Sequence, residues 1–147
     1  HYSSDLEIIV LGQKNNYENY INGFKFYFRT FESNLKLQLL YHSVSDVTVV
    51  PSRAESIPQF AVETLICKNP VVAFDIGGMK EIIDHKKNGY LSKPFDTKDF
   101  SQGIDFCLKN IKKKNLKLSS KKIQAKFNEK SALKSYKKFF KKVLSKS

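Results

Sequence analysis

Short apolar runs recur along the chain, and they are apolar on nearly every residue rather than on every second one. LEIIVLG (6–12), FKFYF (24–28), DVTVVPS (46–52), VVAF (71–74) and a last short run after KKNGYL (86–91) read as five strands. Strands of a sheet with one wet face alternate apolar and polar residues; near-continuous apolar strands belong to parallel sheets covered on both sides. The stretches between them have helical spacing, as at Leu35, Leu39 and Leu40 within 32–43 and again over 57–68 and 97–110. Strand, helix, strand, helix predicts an α/β fold: a Rossmann-like parallel sheet with helices on both faces. Five strands are too few for an eight-stranded barrel.

The punctuation agrees with this reading. YENYINGF (17–24) reads as a short helix or turn, and Asn69-Pro70 closes the 57–68 helix because Asn tolerates the left-handed cap and Pro70 cannot continue. GGMKEIID (77–84) opens another helix, and Asn88-Gly89 forms a turn before the last strand. Two lysine-rich helices, about 115–127 and 131–145, finish the chain.

Charge divides the chain where apolar periodicity does not. The net charge is +12, yet residues 111–147 carry fourteen lysines against one acid, Glu129. The preceding 110 residues carry twelve basic and thirteen acidic side chains and are nearly neutral. The expected organisation is a ligand-binding body over 1–110 and basic carboxy-terminal helices over 111–147. Such a tail is read first as a solvated face, and functionally as a surface attracted to anionic lipid. Nucleic acid is a poorer fit, because the tail interleaves Phe127, Tyr136, Phe139 and Phe140 with lysine but has no arginine. No apolar run approaches the ~20 residues of a membrane span. Cys67 and Cys107 lie in apolar helical surroundings and form no disulfide framework, which points to a reducing, cytoplasmic setting.

The chemistry-bearing residues cluster between 51 and 89. Glu55 falls in a strand-to-helix loop, where Ser56 can cap the helix and Pro58 suits its first turn. Glu63 lies eight residues on, inside the helix. Two carboxylates so placed suit a ligand with separated polyol parts, since carboxylates accept hydrogen bonds from vicinal hydroxyls. Spacing alone favours the plainer alternative of a surface loop acid and an exposed helix position. Gly77 and Gly78 follow a strand, where missing Cβ atoms let backbone approach a phosphate or sugar, or simply make a turn. There is no P-loop and no G-x-G-x-x-G after the first strand. His1, His42 and His85 have no metal-ligand spacing.

In order, Pro51-Ser52, Glu55, Glu63, Pro70-Val71-Val72, Gly77-Gly78, Glu81 and Asn88-Gly89 resemble the pattern of the glycosyl transferases group 1 family, specifically the carboxy-terminal, donor-binding half of retaining GT-B enzymes. The resemblance spans about residues 5–110. It implies a fragment of a retaining glycosyltransferase that transfers a hexosyl or N-acetylhexosaminyl group from a UDP- or GDP-linked sugar, without metal or other cofactor, in surface polysaccharide or glycolipid synthesis. By resemblance, Glu55 contacts the transferred sugar near the reacting carbon and Glu63 binds the ribose hydroxyls. Amides from Ser56 and Ile57 to Gln59 meet sugar and diphosphate, Gly77 and Gly78 shape the pocket, and Arg29 and Thr30 lie beside the base.

Two residues depart from the family pattern: Pro58 stands where many members have glycine and removes an N–H donor, and Asn69 replaces the glycine before Pro-Val-Val. The resemblance also implies partners outside these residues, namely an amino-terminal acceptor domain and an Arg/Lys pair for the diphosphate. A piece that does not turn over by itself is therefore expected, with its basic helices turned toward the absent domain or peripheral on the inner face of an anionic membrane. The competing readings are a nucleotide-sugar epimerase on the same fold and a basic membrane- or nucleic-acid-binding module.

Overall fold

A computed structural model describes residues 6–30 and 33–144, so His1, the Glu32 start of the first predicted helix and the Ser145 end of the last lie outside the described residues, as do the side chains of Phe139 and Phe140. The chain divides into two compact units, His1–Leu40 and Tyr41–Ser147.

The first unit holds β1 (Glu7–Gln13), β2 (Tyr17–Ile21) and β3 (Phe24–Thr30) in a sheet of order β1-β3-β2. β1 runs parallel to β3, and β2 runs antiparallel to it. β2 departs from the helix or turn expected over 17–24. Asn22 (φ 51°) and Gly23 (φ 82°) both take positive φ, the two-residue hairpin turn whose twist matches paired strands. Tyr17 then stacks on its cross-strand partner Phe28, ring centroids 4.3 Å apart. α1 (Leu35–Val44) leads into the second unit.

That unit is built on β4 (Thr48–Val50), β5 (Val71–Phe74) and β6 (Gly89–Ser92), all parallel, in order β4-β5-β6. β5 is central and buried along its whole length. Successive strand residues point to opposite faces. Val71 and Ala73 join Val62 and Leu65 of α2 (Gln59–Ile66) and Ile123 of α4 (Lys117–Lys126) in one core cluster. On the other face, Gly103 of α3 (Thr97–Asn110) lets the helix settle on Val72 and Tyr90, and Phe74 meets Phe100 at 4.8 Å. Helices therefore cover both faces, as near-continuous apolar strands require. α5 (Glu129–Leu144) completes the carboxy-terminal helices.

Three details differ from expectation. The helix expected from 77 is only a 3-10 turn, Met79–Glu81. The buried Asn88 side chain accepts from Asp84 N–H and donates to the Ile82 carbonyl, taking backbone groups that a continuing helix would pair. Asn88-Gly89 is accordingly not a free turn: the turn lies at 86–88, and Gly89 opens β6 so close to β5 that a Cβ would sit 2.1 Å from the Val71 carbonyl. At the end of α2 the left-handed residue is Lys68 (φ 62°), not Asn69. Asn69 is instead buried and donates its side-chain amide to Thr48 Oγ1 at 3.0 Å.

Candidate functional site

β4 ends at Val50 and feeds the irregular loop 51–58; β5 ends at Phe74 and feeds Gly77-Gly78. Adjacent parallel strands end on one side of the sheet, so these loops are neighbours. Gly78 N–H donates to the Ser56 carbonyl at 2.5 Å. A Cβ on Gly77, whose φ is +51°, would lie 1.7 Å from the Glu55 carbonyl oxygen, and one on Gly78 would lie 2.4 Å from Ile57 Cγ1. The glycines thus let one loop backbone close on another. The structure brings Glu55, Ser56, Ile57, Gly77 and Gly78 into a single constellation.

α2 begins later than expected, at Gln59, with Pro58 (φ −70°, ψ 127°) in the capping position and no side-chain cap. Ser56 does not cap it; its carbonyl is committed to Gly78. The Pro58 carbonyl takes the Ala61 and Val62 amides, at 3.1 and 3.3 Å. The amides of Gln59 and Phe60 precede these and have no partner within the helix. The positive end of the helix dipole therefore faces the Glu55 loop, an arrangement that suits an anion. The Glu55 side chain is exposed. The sequence reading passed over Arg53 in the same loop, whose guanidinium lies 5.4 Å from the Phe95 ring centroid. Its only sequence signal is a cation two residues before Glu55.

Glu63 is held very differently. Its side chain is 25% exposed, with Oε2 3.6 Å from His42 Nε2. Oε1 accepts from Gln59 Nε2 at 2.8 Å, so the Gln59 side chain serves Glu63. His42 is 2% exposed, and its Nδ1 is 2.8 Å from Thr64 Oγ1. Burial lowers the His42 pKa, and the Glu63 carboxylate partly opposes that shift. The sequence reading gave His42 no role. The available signal was register, because His42 continues the helical spacing of Leu35 and Leu39.

Arg29 and Thr30 belong to the first unit. Arg29 donates to Glu18 Oε1 at 3.2 Å and to the Tyr17 and Phe28 carbonyls, and Thr30 N–H donates to Asn16 Oδ1 at 2.7 Å. Glu81 pairs with Lys126 of α4 at 3.1 Å. Cys107 is fully buried, and burial pushes its thiol up to about 12; Cys67 is half-buried and shifted up for the same reason. Among the described residues no group of three or more His, Cys, Asp or Glu side chains could hold a metal ion. None of the described helices is long and apolar enough to cross a membrane.

A parallel sheet covered by helices on both faces is the architecture of one half of a GT-B glycosyltransferase. The chain belongs to the glycosyl transferases group 1 family, whose profile matches residues 4–125. It is 30% identical over 71 residues to an uncharacterized glycosyltransferase of Haemophilus influenzae, covering 48% of this chain and 20% of that protein. It is 44% identical over 48 residues to a D-inositol 3-phosphate glycosyltransferase of Jonesia denitrificans, covering 33% and 11%. Among solved structures, sucrose-phosphate synthase from Thermosynechococcus elongatus superposes with a TM-score of 0.66 at 22% identity, over 83% of this chain and 31% of that one. This likeness shows the fold. The chain spans about a tenth to a fifth of the length of these curated relatives.

Proposed function

We propose that this chain binds the donor of a retaining glycosyltransferase, a UDP- or GDP-linked sugar, and acts with an amino-terminal acceptor-binding domain. One observation carries the reading: Gly77-Gly78 closes directly on the Glu55–Ile57 backbone at the carboxyl ends of β4 and β5, beside an uncapped helix start. In this reading Glu55 contacts the transferred hexosyl or N-acetylhexosaminyl group near the reacting carbon, and Glu63 accepts the ribose hydroxyls. The first amides of α2 meet the sugar and diphosphate; Pro58 contributes none, having no N–H. Departure of the diphosphate is helped by fixed dipoles rather than a metal, the kind of preorganised electrostatics that dominates many enzymes. The proposed product is a surface polysaccharide or glycolipid, made at the cytoplasmic face. The basic α4–α5 segment, which exposes Leu133 and Tyr136, provides peripheral attraction to anionic lipid.

Titrating the chain with UDP, GDP and a panel of their sugars, followed by amide NMR, tests the donor site. Shifts confined to residues 53–63 and 77–78 are expected. Unperturbed amides at millimolar ligand, in both this chain and the full-length enzyme, would reject the reading.

A further inference from the structure

The buried cluster behind Glu63 has no part in the reading of the donor site, apart from Glu63 itself. We propose that His42 is a positioning residue that fixes the Glu63 carboxylate for ribose recognition, an inference that rests on the reading of Glu63 as the ribose contact. His42 stands 21 residues before Glu63 and reaches it only in the tertiary structure.

The neighbouring carboxylate decides where the protons go. Thr64 Oγ1 lies 2.8 Å from His42 Nδ1 and 2.8 Å from the Phe60 carbonyl, and its single proton can serve only one of them. A neutral imidazole likewise has one N–H. With a carboxylate 3.6 Å from Nε2, electrostatics favours that proton on Nε2, facing Glu63. Thr64 then donates its hydroxyl to Nδ1 in place of the Phe60 carbonyl. The Phe60 ring, tilted 54° at 4.6 Å, closes the remaining side of the imidazole. One carboxylate oxygen is thus directed by Gln59 from the preceding turn of the helix, and the other faces a buried imidazole. A carboxylate fixed in this way presents its remaining lone pairs in one orientation, which is what bidentate acceptance from two vicinal hydroxyls needs.

The test compares UDP and GDP with their 2′-deoxy counterparts, in the chain and in three variants. Wild type should prefer the ribonucleotide by about tenfold, the worth of one hydrogen bond to a charged group. Glu63→Gln should bring that ratio close to one. His42→Asn, which preserves a nitrogen near Nδ1 and removes the one facing Glu63, should cut the ratio about threefold. His42→Gln, which supplies an amide nitrogen near Nε2, should restore it. If Glu63→Gln erases the preference while both His42 variants leave it unchanged, the positioning role is overturned and the ribose assignment stands. If Glu63→Gln leaves the preference intact, the ribose assignment itself fails. A long-range 1H–15N correlation on the wild-type ring needs no His42 variant: a proton on Nε2 whose resonance moves in Glu63→Gln is expected, and a proton on Nδ1 alone would overturn the proposal.

Discussion

α2 and α3 both start just beyond the carboxyl end of a strand in the same parallel sheet, and their amino ends are built in opposite ways. α3 is closed by its own side chain: Asp96 accepts from the Lys98 and Asp99 amides at 3.0 Å each. α2 starts at a proline with no side-chain cap, against a loop held by glycine-to-backbone contact. One helix end satisfies its orphan amides with its own side chain, and the other has no side-chain cap and follows the loop that carries Arg53 and Glu55. A cap is worth about 1 kcal/mol to stability. In the proposed reading, a bound donor rather than a cap satisfies those groups at α2.

Several variants break or sharpen this contrast. The largest effect is expected from Gly77→Ala. The added Cβ meets a carbonyl at 1.7 Å in a positive-φ backbone, so the loop must open at a cost of about 3 kcal/mol, read as a fall in Tm, with loss of nucleotide binding. Asp96→Ala should cost about 1 kcal/mol and leave nucleotide binding untouched, because it opens the wrong helix. Pro58→Asp gives α2 the cap that α3 already has. Denaturant midpoints should show a gain of about 0.5–1 kcal/mol, while calorimetry shows weaker binding of nucleoside diphosphates, whose charge the new carboxylate repels. A variant that gained stability and bound equally well would separate the open helix end from donor binding.

Acid titration gives the smallest effect and probes the interior of α2. The folded state holds His42 below its ordinary value near 6.5, mainly through burial. Below about pH 6.5 the unfolded chain therefore binds the proton more readily. The contribution is fully present above that pH and is lost as pH falls toward the folded value. Denaturant midpoints measured from pH 7.5 to 5 should decline, and His42→Gln should flatten that decline.

Much of this was legible in the sequence. The unbroken apolar strand 71–74 foretold burial on both faces, and Val71/Ala73 against Val72/Phe74 now face separate helical layers, whereas Val49 of β4 is left exposed. Glu55 in the loop after a strand and Glu63 inside the following helix lie where the pattern of elements put them, while the glycines open only a 3-10 turn. β2 was missed although its Asn-Gly turn was present, because the tyrosines around it also suit a short helix until β3 is there to stack on. The short 3-10 turn at Met79–Glu81 was missed because the groups that end it come from Asn88, beyond any local signal.

By itself, the sequence determined the periodicities, the turn residues and the spacing of two acids and two glycines, all consequences of local backbone geometry and solvent preference. Only the tertiary structure decided that Gly77 lies against the Glu55 carbonyl and that His42 lies behind Glu63. Those meetings depend on strand order and helix packing, which bring together groups about twenty residues apart, and the dense core that fixes them has no one-dimensional trace.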